Sequence, residues 1–425
     1  MSTLLALALF APQDAPPPAV PLPDAPSLAV PLPSGVWRAW LDSPGGDLAF
    51  RLEIENEGNG LRAWLHTGDE RTPASVVTAE GARATFVWGD YDSVLRAEIC
   101  TGGTSLEGTW DKQASATERV CLGFHARYGE DARSVPPMPL LGPGHALQGV
   151  SGGTPVQGRY RVQFDGDDTP AVGLLRETAT GEVQGTILTT LGDYRFLAGH
   201  RRGSDLTLSC FDGGHAFLLR ARIDGDGRLQ GRFWSGAGPG QTWSAELDDE
   251  VALPDPYELT HPKLHRLPGL TFPDLLGDSH RIDDPNLLGE ACILLVFGSW
   301  CPNCHDATDA LVDLSQRYRT RGLRVVGLAC ELTDDLERNR QVLQTYSRRH
   351  GVEWPILLVG SADKTQAAAA LPFLDRIVAY PTVVFVDKRG NIRDVYTGFT
   401  GPAARREHQA LVLDWRTRVE ELLRD

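Results

Sequence analysis

The sequence predicts a multidomain protein in which an N-terminal all-β region, made of two similar antiparallel barrel-like β units, precedes a C-terminal α/β domain. Three observations predict it. From about 35 to 250 the chain runs in short alternating segments such as "GVWRAWLD", "DLAFRLEIE", "DLTLSCFD" and "AFLLRARI", punctuated by Gly, Asp and Asn, with no helical periodicity. An offset of 123 residues superimposes the two halves of that region: Gly35 falls on Gly158, Trp37 on Tyr160, Leu41 on Phe164, Trp88 on Phe211, Leu106 on Leu229, Gly108 on Gly231 and Trp110 on Phe233. Beyond about residue 262, buried strands alternate with helices before a closing antiparallel hairpin, the pattern of a mixed sheet covered on both faces.

In chain order, residues 1–34 hold a short apolar run, "LLALALFA", and a proline-rich tract that sustains neither helix nor inner strand. They read as a signal-like segment and a semi-rigid spacer; a disordered tail is the other reading. The first β unit spans 35–126, a Pro/Gly-rich linker 127–156, and the second β unit 157–250. Chance agreement between Gly-rich strand sequences is the competing explanation of the repeat. Whether the units close as one large barrel or two small ones stays open, although closure removes exposed edges.

In the domain at 262–425, "ACILLVFGSW" is a buried strand, "NCHDATDALVDLSQRYRTRG" a helix stopped at Gly322, and "LRVVGLAC" a second buried strand. A helix around 333–350, the strand "PILLV" and an Ala-rich helix near 364–371 follow. The strand "PTVVFVD", a turn at "KRGN", the strand "IRDVYTGF" and an amphipathic helix from about 402 to 424 complete it.

A formal net charge of -15 repels nucleic-acid phosphate and anionic lipid, so neither is the expected partner. No stretch past the N-terminus is apolar over a bilayer-spanning length. Seven cysteines are too few for a disulfide scaffold and odd in number. Cys100 and Cys121 fall in the last strands of the first β unit and could pair in an exported protein. Cys292 and Cys330 lie at opposite ends of neighbouring strands, roughly 20 Å apart, and are not expected to pair.

The chemistry concentrates in "FGSWCPNCHDATDAL", residues 297–311. Zinc wants four ligands, and the domain offers no second pair at similar spacing, so a metal site is not expected. Incidental thiols would lie mid-element, whereas Cys301 falls at a strand-to-helix junction with Pro302 in the first turn. Free N–H groups and the helix dipole there favour a thiolate at Cys301, the attacking sulfur. Cys304, one turn along, can resolve a mixed disulfide.

On "VFGSWCPNC", "AYPTVVFVDKRGNI" and "GFTG", residues 262–425 resemble the thioredoxin fold and, within it, the extracytoplasmic TlpA/ResA-type thiol-disulfide oxidoreductases. The resemblance implies that Cys301 is the nucleophile, Cys304 the resolving thiol, and Pro381 a cis-proline facing the disulfide. Trp300, Tyr380 and Thr382 would contact substrate. It also implies protein thiol and disulfide substrates, a membrane or periplasmic dithiol as electron donor, no cofactor, and a periplasmic or secreted location. The β units resemble the N-terminal region fused to some members, through "GTILTTLGDYRFLAGH", "FDGGHAFLLRA" and "GRFWSG", and an unidentified ligand or protein could bind them.

Cytoplasmic thioredoxins carry a buried carboxylate six residues before the first Cys; Leu295 stands there in this chain. Relatives place an acid near the end of the next strand, and Glu331 is the nearest match. It would take the proton of Cys304 as general base, an ordinary solvated Glu being the alternative. His305 reads as a solvated helix residue, or as a charge tuning the thiolate. Asp193, Arg195, Asp212 and His215 line a binding surface or merely form turns. The leading function is a disulfide reductase of extracytoplasmic proteins. Its rivals are a peroxiredoxin-like thiol peroxidase, weakened because "VFGSW" lacks the Pro-X-X-X-Thr-X-X-Cys setting, and a binding or scaffolding protein acting through the β units.

Overall fold

The computed structural model describes residues 31–58, 60–129 and 155–424. The apolar run and nearly all of the proline-rich tract lie outside these residues, as does most of the expected linker. The two β units follow one plan: nine strands each, in the same chain order. The strand Ser93–Cys100 corresponds residue for residue to Ala216–Ile223 at the 123 offset. Gly35 and Gly158 open their units with φ of 131 and 130, a backbone region that L side chains rarely adopt. At Gly108 and Gly231 a Cβ would lie 1.9 and 1.8 Å from a carbonyl oxygen of the neighbouring strand, so both positions require glycine for close strand approach.

The units differ in closure. In the second, Glu182–Thr189 pairs with both Ala171–Glu177 and Leu197–Arg202, which closes an eight-strand barrel. In the first, the four-residue strand Glu70–Pro73 takes the edge of Gly60–Thr67, and Val76–Glu80 pairs with Arg83–Trp88 alone. The counterpart of Glu70–Pro73 is the two-residue Gly192–Asp193, which covers only Leu188 and Thr189 of that edge and leaves Glu182–Gly185 to Leu197–Arg202. The result is one closed barrel and one half-barrel, not a single large one. Phe211 of the second unit packs into the core of the first, its ring 4.5 Å from Phe50 and 5.3 Å from Trp110.

The C-terminal sheet has the order Ile356–Ser361, Leu323–Glu331, Ala291–Phe297, Thr382–Asp387, Ile392–Thr397. The first three strands are parallel and the last two antiparallel. Its central strands are buried along their whole length, as continuous Val/Ile/Leu runs require when helices cover both faces. The longer helices are Pro302–Tyr318, Leu336–His350, Lys364–Ala370 and Arg406–Leu422, and a four-residue helix, Pro285–Leu288, precedes them. A short 3-10 turn, Arg319–Arg321, extends Pro302–Tyr318, and Gly322 stops it at φ 98. This is the α/β domain that the alternation of strands and helices predicts.

Cys100 and Cys121 do not pair. Both flank the strand Ser105–Gln113, opposite Ser105 and Asp111 respectively. Six residues of rise separate them, roughly 20 Å, and both are free thiols. Cys292 stands opposite Arg324 on the parallel neighbour, six residues before Cys330, and these thiols are free as well.

Candidate redox site

Cys301 ends the link from Ala291–Phe297 and is the N-cap of the helix Pro302–Tyr318. Its Sγ accepts a hydrogen bond from the backbone N–H of Cys304 at 3.3 Å, one of the orphan donors of the first helical turn. On the other side Sγ lies 3.4 Å from the carbonyl oxygen of Tyr380, and the Tyr380–Pro381 peptide is cis. Thus the sequence-expected Cys301, Cys304 and Pro381 come together. Cys304 is fully buried; burial and the neighbouring Cys301 push its thiol well above the usual range. It stays protonated until a base removes the proton.

Glu331, one of two readings at the sequence level, is buried rather than solvated. Its carboxylate accepts from the Ser299 backbone N–H at 2.9 Å and from Ser299 Oγ at 2.7 Å, directly before the Cys-X-X-Cys segment. Burial pushes its pKa from the ordinary 4.5 up to about 7, against the pull of the Ser299 hydrogen bonds and Arg338. A carboxylate titrating near neutrality suits proton transfer. A group with a raised folded-state pKa contributes stability below its unfolded pKa and loses it as pH rises through the folded value. Glu331→Gln is therefore expected to match the wild type in urea unfolding at pH 4 and to be more stable at pH 8, by up to about 3 kcal/mol. Equal stability of the two proteins at pH 8 would contradict the assignment.

Trp300 donates from Nε1 to Cys330 O at 3.0 Å and meets the Tyr380 ring edge-on at 5.5 Å. Thr382, expected at the substrate surface, is fully buried, with Oγ1 donating to Ala379 O at 2.8 Å. It shapes the proline loop from inside. Cys330 is a buried thiol pushed up to about 12 by desolvation.

His305 is the clearest departure from expectation. It is buried, and burial together with the charges of His350 and Arg349 holds it well below its ordinary 6.5, so it carries no charge to tune a thiolate. Its Nε2–H donates to Ser299 O at 2.7 Å, which leaves Nδ1 to accept from His350 Nε2–H at 2.7 Å. Asp90, His305 and His350 together could surround a metal ion, as could Cys210, Asp212 and His215. In each group the carboxylate already carries a guanidinium: Arg349 bonds Asp90, and Arg195 lies 3.4 Å from Asp212.

What buries the site is the β region. Four of its loops converge on the C-terminal domain, and they are two pairs related by the repeat. Residues 68–70 correspond to 191–193, and 89–92 to 212–215. Asp69 pairs with Arg405 at 2.7 Å. Asp92 pairs with Arg338 at 2.9 Å, and the Tyr91 ring lies 4.3 Å from that of His305. Asn303 donates to Asp193 O at 3.0 Å, and the Gly401 N–H to Asp193 Oδ2 at 2.7 Å. Gly214 rests on Pro302. At the centre Arg195 bonds Glu70, Tyr91 (3.1 Å) and Asp306 (2.9 Å). Cys301 is left 6% exposed. Asp193, Arg195 and Asp212, read from sequence as a binding surface or as turn residues, are thus components of an inter-domain junction. Glu70, Tyr91, Lys112 and Ser299 were not singled out by sequence; the repeat offset, applied to the loops as well as the strands, would have pointed to the first two.

Comparison with known proteins bears on the C-terminal domain. The profile of the AhpC/TSA family matches residues 265–395. The thioredoxin-like protein YneN of Bacillus subtilis is 24% identical over 131 residues, 31% of this chain and 69% of that protein. The thiol-disulfide oxidoreductase ResA of Bacillus thuringiensis is 23% identical over 131 residues, 31% of this chain and 67% of its own. Among solved structures, a thioredoxin-family thiol:disulfide interchange protein from Chlorobium tepidum is similar at 20% identity and a TM-score of 0.29, covering 38% of this chain and 97% of that one.

Proposed function

We propose that this chain, whose C-terminal domain is TlpA/ResA-like with a thioredoxin fold, is a thiol-disulfide oxidoreductase that reduces disulfides of extracytoplasmic proteins. One observation carries the reading. Cys301 caps a helix with an N–H pointed at its sulfur and faces the carbonyl before cis-Pro381, while Cys304 lies one turn behind it.

In this mechanism the Cys301 thiolate attacks a substrate disulfide. The substrate S–S bond breaks, a Cys301–substrate disulfide forms, and the departing sulfur takes a proton. Cys304 then loses its proton to Glu331 and attacks Cys301 Sγ, which frees the second substrate thiol and leaves a Cys301–Cys304 disulfide. The substrate gains two electrons and the enzyme loses two. A dithiol donor, membrane-bound or periplasmic, restores the reduced pair by the same exchange in reverse. Trp300 and the Tyr380–Pro381 backbone flank the approach to the sulfur.

The direction is tested by the reduction potential of the Cys301/Cys304 couple, read by equilibration with glutathione buffers. A value near about -270 mV, that of thioredoxin, fits a reductase; one near about -120 mV, that of the strongest periplasmic oxidant, overturns the direction and leaves the chemistry.

A further inference from the structure

The carboxylate assigned to proton transfer shares a cation with the β region. Glu331 Oε2 accepts from Ser299 Oγ at 2.7 Å, and Arg338 Nη1 lies 3.6 Å from the same oxygen, beyond hydrogen-bond reach. Other acceptors hold the guanidinium there: Nη2 donates to Asp92 Oδ2 at 2.9 Å and Nη1 to Asn339 Oδ1 at 2.9 Å. Arg338 thus stands between a buried acid of the C-terminal domain and an acid of the first β unit. Asp92 belongs to the turn at 89–92 that joins the strands Arg83–Trp88 and Ser93–Cys100, and its backbone is left-handed at φ 50. Among the described residues only Asp92, Arg195 and Arg405 adopt a positive φ without being glycine, and each makes an ion pair across the junction. At the 123 offset the position of Asp92 is taken by His215, so the acid is not part of the plan common to the two units.

We propose that Asp92 is a positioning residue of the thiol-disulfide reaction: it holds the Arg338 guanidinium back from Glu331, so that this carboxylate stays basic enough to take the Cys304 proton. The proposal rests on the thiol-disulfide reading and on Glu331 as its base. A guanidinium closed onto a carboxylate makes charge-assisted hydrogen bonds that stabilise the ionised form and weaken it as a base. Burial raises Glu331 to about 7, the Ser299 hydrogen bonds and Arg338 act downward, and Asp92 acts upward. The other titratable groups facing Glu331 are the Cys304 and Cys330 thiols, which burial keeps protonated at neutral pH. Arg119, at 3.8 Å, and Lys112 are the further cations near Asp92. A proton acceptor tuned through Arg338 makes resolution of the mixed disulfide depend on the docked β region. When Asp92 withdraws, Arg338 is free to close the remaining distance to Glu331.

The test titrates Glu331 by NMR in the reduced full chain, labelled with glutamate carrying carbon-13 at the side-chain carboxyl, the resonance being identified by its loss in Glu331→Gln. Asp92→Asn keeps the left-handed turn, which Asn adopts as readily as Asp, and removes the charge that holds Arg338. Its Glu331 midpoint is expected to fall by about one pH unit. In single-turnover reduction of insulin the pH limb of the resolving step moves down with it, and the plateau above about pH 8 drops about two- to fourfold. In an Arg338→Gln background the same Asp92→Asn change is expected to shift the midpoint less than about a third as far, since the acid acts through the guanidinium. An unchanged Glu331 midpoint in Asp92→Asn overturns the proposal. So does an equal shift in the two backgrounds, which the field of Asp92 alone predicts. A midpoint that falls while the resolving step keeps its pH profile overturns it as well, by removing Glu331 from the proton path. Should Asp92→Asn fail to fold, Arg338→Gln decides alone: a midpoint raised by about one unit supports the shared cation, and an unchanged one overturns it. Wild-type protein that reduces no disulfide at any pH sinks the thiol-disulfide reading itself, an outcome visible without any variant.

Discussion

Cys301→Ser is expected to abolish disulfide reduction, and Cys304→Ser to stop it halfway. With insulin as substrate and a dithiol as donor, the first variant is expected to lose on the order of a thousandfold or more in rate, because a hydroxyl at the helix N-cap remains protonated at neutral pH. The second retains the attacking sulfur and its N–H partner at the helix start. It lacks the thiol that would expel the substrate, so the Cys301–substrate disulfide accumulates and appears in non-reducing mass spectra as one covalent adduct per chain, released by excess dithiol. The asymmetry follows from burial. Cys301 keeps a 6% opening to solvent whereas Cys304 has none, so the first attack by Cys304 on an incoming disulfide is sterically closed. Full activity of Cys301→Ser would overturn the proposed mechanism. So would wild-type turnover by Cys304→Ser with no adduct. Rapid hydrogen peroxide consumption by the wild type would favour the thiol-peroxidase alternative.

The placement of the proposed redox pair was legible in the sequence because its signals are local. A buried apolar run, a Cys-Pro-X-Cys at its end and amphipathic spacing beyond it specify a strand, a helix N-terminus and two thiols on one turn without long-range information. The repeat was legible for a related reason: Gly35 and Gly158, or Gly108 and Gly231, answer the same backbone demand in each unit. Closure was not, because it turns on whether the segment after the third strand is four residues long or two, a difference no periodicity records. The junction was hidden more deeply. His305 reads as a surface residue on its own helix, yet Tyr91 lies more than two hundred positions earlier in the chain and covers it. The sequence pattern along one helix reports which face is apolar, and a face that is polar because it meets another domain's ion pairs looks solvated. The burial of Asp306, Asp193 and Arg195 has the same origin.

Replacing Arg195 with Leu is expected to loosen all three domains together. Its guanidinium bonds Glu70 of the first unit, lies 3.4 Å from Asp212 of the second, and bonds Asp306 of the redox helix at 2.9 Å, all with little solvent. Burial pushes Glu70 up to about 7 and Asp306 well above the usual range, even though Arg195 pulls both down. Removing the guanidinium strands a cluster of carboxyl groups, a change that costs about 3–5 kcal/mol in buried pairs, or roughly 10 °C in thermal midpoint for a unit of this size. The sign of the pH dependence follows from the raised values. Both carboxyls are protonated at low pH and become uncompensated charges as pH climbs through the folded-state pKa, so the deficit is expected to be larger at pH 8 than at pH 5. Because the same residue clamps the loops over Pro302 and Asn303, iodoacetamide should reach Cys301 at least about tenfold faster in the variant at pH 8, the signature of a local opening that precedes global unfolding. A deficit independent of pH, or an alkylation rate equal to wild type, would mean that Arg195 is held in place by the junction instead of holding it. In the expected case, access to the attacking sulfur is set by an ion cluster contributed mostly by domains that carry none of the redox chemistry.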